Sequence, residues 1–252
     1  MPIAVVGVWS VLSATGVLSD DLFPAPMELL RTARAFVVAP KRPPVPGVIP
    51  FKGAAVMHIR ATVGRLGLAY LIALLVGVPL GMGLGLSRWM SAAVDPVFHA
   101  VRSVPITAWL PIALVWFGLG EGTARFLVFI GAVSPIVVAT ADSTARVPRQ
   151  LVDTARMLGT RPRELARRVY LPAALPGIVT GMRLGLTLGL TSGIVGELSG
   201  QSSGLGAMMF AAREVSRLDQ IIIGMATFAL IGLAGDLLLR AASRPLVRWA
   251  DA

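Results

Sequence analysis

An all-α, polytopic membrane protein of about six transmembrane helices is the fold class this sequence predicts, and three observations predict it. Apolar residues make up 55% of the 252-residue chain and charged residues only 14%, with a mean hydropathy of +0.77, too oily for soluble domains of this length. The charged residues that do occur leave windows free of charge, of the length a bilayer core about 30 Å thick demands, about 20 helical residues. Glycine then recurs every four positions in two of those windows, at 77, 81 and 85 and at 177, 181, 185, 189 and 193. Such small-residue ladders let helix backbones approach closely in lipid, where packing drives association.

Three windows are clear: Met1 to Ser19, Leu66 to Ser87 and Ser103 to Gly120. Three more are shorter or interrupted: Phe126 to Ala141, Val169 to Gly196 with Arg183 inside it, and Gln220 to Gly235 between Asp219 and Asp236. Buried helices of a soluble protein could explain one short window but not six, because too little polar chain remains to cover such a core. Met1 to Ser19 lacks a basic leading segment and a clear small-residue cleavage site, so it reads as an uncleaved first span, residues 1–22, rather than a signal peptide. Residues 23–54 follow as an extramembrane cap: Met27 to Val38 can form a short amphipathic helix, and the Pro clusters after it make a stiff connector. Residues 55–245 form the membrane core and 246–252 a tail. Pro79, Pro105 and Pro111 break or kink their helices, and backbone groups freed at membrane depth need protein or a water-lined path beside them. The pattern is that of a bundle around a cavity.

Orientation follows from arginine, since cytoplasmic loops are enriched in Lys and Arg. Between Asp142 and Arg168 stand seven Arg against three acids. That loop is expected in the cytoplasm, together with the loop at Arg88 and the C-terminal tail. The five basic residues between Arg31 and Lys52 then fall outside, against the trend. A net charge of +10 does not indicate nucleic acid, because the basic residues sit between apolar runs instead of among aromatics on a polar face. Without Cys, and with His58 and His99 far apart, the chain offers no thiolate site and no histidine cluster, so no metal is expected.

The basic loop divides into two short helices. Pro148 can open the first, whose Leu151, Val152, Ala155 and Leu158 share one face, and Gly159 suits its C-terminal stop. Thr160 can cap the second, with Pro162 in its first turn, Leu165 and Val169 on one side, and Arg161, Arg163, Arg167 and Arg168 elsewhere. An apolar ridge with basic flanks suits insertion into a groove of a partner, and it equally suits a loop resting on anionic lipid.

The segment DTARMLGTRPRELARRVYLPAALPGIVTGMRLGL, from Asp153 to Leu186, resembles the EAA loop and following helix of binding-protein-dependent ABC importer permeases. Their pattern is E-A-A-x-x-x-G and a distal L-P-x-A-x-P; here the Gly is Gly159 and the Pro pair is Pro172 and Pro176, while Asp153 and Thr154 replace Glu and Ala. FPAP, VGVPLGMGLGLSR, DPVFHAVRSVPITAWLPIALVWFGLGEG, VGELSG with GLGAMM, and GDLLLRAASRPLVRW extend the likeness over Phe23 to Trp249, toward the nitrate, sulfonate and taurine branch. SPIVVATADST is less typical of that branch. The resemblance implies a type I ABC importer permease (MetI-like) fold over 55–245, in the bacterial inner membrane. It implies a homodimer that pairs with two ATP-hydrolysing subunits, receives a small anionic solute from an extracytoplasmic binding protein, and is not itself an enzyme. The coupling residues it implies are Asp153, Thr154, Ala155, Leu158, Gly159, Thr160, Arg163 and Leu165. ATP and Mg would then sit on the ATPase, and no cofactor on this chain. A P-loop needs Gly-Lys followed by Ser or Thr, and Lys41 and Lys52 stand in PKR and FKG.

Arg102, Ser103, Trp109, Ser192 and Glu197 are the candidates for the solute path, because ionisable groups at membrane depth are functional by default and polar or aromatic groups orient ligands. Arg102 could instead snorkel to an interface, and Glu197 could serve as a helix-end contact. Arg183 is expected to pair with Asp142 or Asp236. An ion-driven transporter or channel is the rival reading, and would need its own acid or proton relay; a membrane enzyme is disfavoured for want of a clustered catalytic set.

Overall fold

The computed structural model describes residues 24–38 and 49–247, so the expected first span, Met1 to Ser19, and most of the Pro-rich connector lie outside the described residues. The helix α1 (Pro26–Val38) is followed by α2 (Ala55–Leu86), α3 (Arg88–Ser103), a short 3-10 turn (Ile106–Ala108) with α4 (Trp109–Phe117), α5 (Glu121–Ala145) and α6 (Arg149–Met157). Next come α7 (Pro162–Leu165), a π-helical turn (Ala166–Tyr170) and α8 (Leu171–Glu197), which run on as one helical rod, then α9 (Leu205–Glu214) and α10 (Leu218–Val247). Four rods are long and apolar enough to cross a membrane, and the bent pair of α3 with the 106–117 segment makes a fifth.

That bend corrects one expectation. Ser103 to Gly120 is not a straight span, and the stretch after Arg88 is a helix rather than a loop. The two pieces meet at 85°. Pro105 lacks an N–H and disfavours helical backbone in the residue before it, and Val104 accordingly adopts an extended φ of −73° and ψ of 122°.

The middle of the bundle is α5, packed between α2 and α8. Both glycine ladders face it. A Cβ built on Gly81 would lie 2.6 Å from the Val137 carbonyl oxygen, and one on Gly85 2.7 Å from that of Ala141. From the other side, a Cβ on Gly185 would lie 2.9 Å from the Ala132 carbonyl oxygen and 2.8 Å from Ile136, which also meets Gly77 at 2.8 Å. Gly177, Gly181, Gly189 and Gly193 continue that side against Ser143, Ala139, Ala132 and Val128. The helices thus meet backbone to backbone around Ala132 and Ile136, both fully buried.

Gly185→Ala is therefore expected to destabilise the protein by about 1–3 kcal/mol, because backbone must move to admit one methyl. Gly64→Ala in α2, where a Cβ meets nothing within 4 Å, gains the helix preference of Ala over Gly, up to about 1 kcal/mol. Detergent-solubilised thermal unfolding of the two variants checks the opposite signs.

Candidate functional site

The basic segment folds into a self-contained elbow between α5 and α8. Val147, Val152 and Leu165 are buried together, with Ala155, Val169, Tyr170 and Ala173 packed around them. The α6 helix ends in a left-handed glycine: Gly159 has φ +79°, its N–H donates to the Arg156 carbonyl at 2.9 Å, and the Thr160 N–H donates to that of Ala155 at 3.1 Å. This pair of bonds is a Schellman stop, which a residue with a Cβ closes only under strain. The turn aims α7 back across α6, so that Leu165 closes on Val152.

Two details differ from the sequence reading. Arg161, not Thr160, occupies the N-cap of α7 with Pro162 next to it, and no side chain caps the helix; Thr160 is used as the second residue of the Schellman stop. The apolar face of α6 also splits. Val152 and Ala155 turn inward to the elbow core, whereas Leu151, about half exposed in the first turn, and Met157 and Leu158, 88% and 81% exposed where the chain leaves the helix, stand outward. Asp153, Thr154 and Arg163 are exposed on the same elbow. The ion pairs there are long and solvent-facing, Arg156 to Asp153 at 3.8 Å and Arg168 to Glu164 at 3.9 Å, and contribute little to its shape. Apolar interlock holds the elbow, and the π turn at Ala166–Tyr170 joins it to α8.

A second feature is a cavity of about 260 Å³ where the α3–α4 break faces α5 and α8. Arg102, Ser103 and Ser192 line it, as do Ser134 and Thr191. Trp109 does not: it packs edge-on to Phe126, ring centroids 6.2 Å apart. Gly131 gives Ser192 its room, since a Cβ there would fall 2.0 Å from the Ser192 hydroxyl oxygen.

Glu197 lies elsewhere, in a buried polar knot at the end of the bundle opposite the elbow. Its Oε1 accepts from Thr62 Oγ1 at 2.7 Å and Arg65 Nη1 at 2.9 Å, and its Oε2 accepts from the Gly206 N–H at 2.7 Å. Arg65 also donates to Glu121 at 2.7 Å and to the Ser203 carbonyl at 2.7 Å. His58 takes the Gly204 N–H on Nδ1 at 3.0 Å, which leaves Nε2 to donate to the Pro50 carbonyl at 2.7 Å. His58, Thr62, Arg65 and Glu197 are each at most 4% exposed. These four residues fasten the turn between α8 and α9 to α2. On the same end, α1 docks through Phe36, stacked on Phe51 at 5.0 Å, and through Thr32, which donates to Asp219 at 2.8 Å. Sequence reasoning missed Arg65, Thr62 and Glu121, since it set its second and fourth spans to begin after them. Arg183 pairs with Asp236 at 2.6 Å, not with Asp142, and ties α8 to α10.

Comparison with known proteins places this geometry. Residues 73–250 match the family described as binding-protein-dependent transport system inner membrane component. The chain is 31% identical over 243 residues to the taurine transport system permease protein TauC of Escherichia coli (strain K12), covering 96% of this chain and 85% of that one. It is 29% identical over 251 residues to the putative aliphatic sulfonates transport permease protein SsuC of Bacillus subtilis (strain 168), covering 100% of this chain and 86% of the other. A chain of the inward-facing MetNI methionine ABC transporter shares the fold, with a TM-score of 0.61 at 22% identity over 74% of this chain and 94% of that one. The glycine-packed bundle, its elbow and the match over most of the sequence lead to one conclusion: this chain belongs to the binding-protein-dependent transport system inner membrane component family.

Proposed function

We propose that this chain is the permease subunit of an ABC importer for a small, anionic or sulfonate-bearing solute of the nitrate, sulfonate and taurine type. In this reading it works as a homodimer with two ATPase subunits and an extracytoplasmic binding protein, with the elbow and C-terminus in the cytoplasm. ATP and Mg act on the ATPase. The observation that carries the reading is the elbow: Met157 and Leu158 stand almost fully exposed on a rigid apolar-cored unit, an arrangement that is costly in water and suited to a groove in a partner. Asp153, Thr154, Ala155, Leu158, Gly159, Thr160, Arg163 and Leu165 form that coupling unit, the exposed ones meeting the ATPase and Ala155 and Leu165 keeping the lever stiff. Nucleotide-driven closure of the ATPase pair moves the elbow, and the π turn passes the motion to α8, whose glycine face slides on α5. A partner shifts such an equilibrium only by its differential affinity for the two states, so the elbow's contacts must differ between them.

The cavity at the α3–α4 break, with Arg102, Ser103 and Ser192, is the solute path in this reading. Trp109, packed on Phe126 outside that lining, meets the solute beyond the cavity in this reading, and Glu197 acts in the knot that keeps the opposite end closed. Reconstitution of the chain with the ATPase and binding protein of its transport system tests the assignment. A binding protein loaded with taurine, an aliphatic sulfonate or nitrate is expected to stimulate ATP hydrolysis several-fold. Uptake that persists without any ATPase and collapses with an ionophore would replace this reading with an ion-driven transporter.

A further inference from the structure

We propose that the cavity at the α3–α4 break is an electrostatic filter for small oxyanions, in which the charge of Arg102 supplies the attraction and three of the four lining hydroxyl groups supply none. This rests on the reading of the cavity as part of the solute path. The lining looks at first like a conventional anion site, with one arginine among several Ser and Thr. The hydrogen bonds say otherwise. Ser103 Oγ donates to the His99 carbonyl at 2.7 Å, Ser192 Oγ to that of Leu188 at 2.7 Å, and Thr191 Oγ1 to that of Thr187 at 3.1 Å. Each hydroxyl has one hydrogen, and these three have spent theirs on their own helices; of the four lining hydroxyls only that of Ser134 makes no such bond. What these three oxygens present to the cavity is lone pairs, which repel an oxyanion.

Arg102 has no such restraint. It is exposed at the last turn of α3, and among the described residues no acid pairs with it. The acid on its own helix, Asp95, instead accepts from Ser91. The rest of the lining is mainly apolar, with Phe98, Ile130, Val133 and Leu188 among it. Ile130 to Ser134 and Leu188 to Ser192 lie inside the ends marked by Glu121 and Glu197, about 7–20 Å deep at 1.5 Å per residue. Low-dielectric walls around one unpaired cation focus its field into the opening. The consequence is an anion drawn in and only weakly held, which is what passage requires: entry must be favourable and exit easy. A fully built oxyanion site, with three inward-pointing hydroxyl donors, would trap the solute.

The chain contains no cysteine, so a single Ser134→Cys thiol reports the potential of the cavity cleanly. In the complex with a cysteine-free version of its ATPase, reconstituted in proteoliposomes without nucleotide, the rates of two methanethiosulfonate reagents are compared. One carries an ethylsulfonate and the other an ethyltrimethylammonium group. In both, the cysteine thiolate forms a mixed disulfide and displaces methanesulfinate. Relative to a free thiol in solution, the sulfonate reagent is expected to be favoured by about tenfold, the size of effect one nearby unit charge produces in a partly desolvated site. Arg102→Gln in the same background brings the ratio to near unity, and Arg102→Lys keeps it. A ratio near one with Arg102 present, a preference that survives Arg102→Gln, or a thiol that neither reagent reaches before denaturation each overturns the filter. The readout uses no transport, so such a failure leaves the permease assignment to be decided by ATPase stimulation.

Discussion

Arg65→Met is expected to cost about 3–5 kcal/mol of stability, the loss that follows when one partner of a buried ion pair is removed and the other is left charged. Arg65 is 4% exposed and Glu197 3%, so neither can turn to water. After the change, Glu197 retains only the Thr62 hydroxyl and the Gly206 N–H, and the Ser203 carbonyl loses its donor. Glu197→Gln strands the charge of Arg65 less completely, since Glu121 still accepts from it at 2.7 Å, and should cost less. The double variant is expected to lose clearly less than the two single losses added, because the second change removes the charge that the first one stranded. Thermal unfolding in detergent gives the three values. Amide exchange at Gly204 to Gly206 should quicken in Arg65→Met, while α6 and the elbow stay protected. Additive losses, or an unchanged exchange pattern, would show that the knot does not fasten the α8–α9 turn.

The same knot explains what the sequence left illegible. Charge-free windows locate the middle of a span well, and the windows at Leu66, Phe126, Val169 and Gln220 all fall inside membrane-length helices. They fail at the ends. Helix α2 begins at Ala55 and carries Arg65 inside it; α5 begins at Glu121; α10 runs through Asp236 and Arg240 to Val247. A window reads each of these charges as the start of water, whereas here they are consumed in ion pairs: Arg65 with Glu121 and Glu197 and Arg183 with Asp236 between helices, and Arg240 with Asp236 one turn apart on α10. No spacing in one sequence reveals which distant charge a buried charge will find. Pairing is a property of the fold.

Backbone punctuation was read with mixed success, for reasons that are local. Gly159 is legible because a positive φ at the end of an amphipathic turn has few other tenants. Pro105 signals a break, but not its angle, which depends on how α3 and α4 pack. Thr160 shows the limit of capping rules: a Thr two residues before Pro162 has the composition of an N-cap, yet the Schellman stop already claims its backbone and passes the capping position to Arg161. The exposure of Leu158 was hidden for a similar reason. Periodicity assumes that the helix continues, and this one ends at Met157.

That ending is what makes Leu158→Asp the most damaging substitution expected for function and among the mildest for folding. Leu158 is 81% exposed and lies outside the packed core of the elbow, so the aspartate meets water in the isolated permease and thermal unfolding should be unchanged. In the assembled importer the same side chain is proposed to enter an apolar groove of the ATPase, where an unpaired carboxylate must shed its water. A central contact of that kind is worth about 2 kcal/mol or more, which corresponds to about 30-fold in affinity. ATPase co-purification and solute uptake should both fall by at least that factor. Leu165→Asp provides the contrast: Leu165 is 6% exposed, so the substitution breaks the elbow core and lowers stability and coupling together. Leu158→Ala should lie between wild type and Leu158→Asp in coupling, with no loss of stability, because it removes apolar area without adding a charge. If Leu158→Asp kept full coupling, the exposed ridge would not be the contact with the motor, and the basic flank on Arg161, Arg163, Arg167 and Arg168 would have to rest on anionic lipid instead.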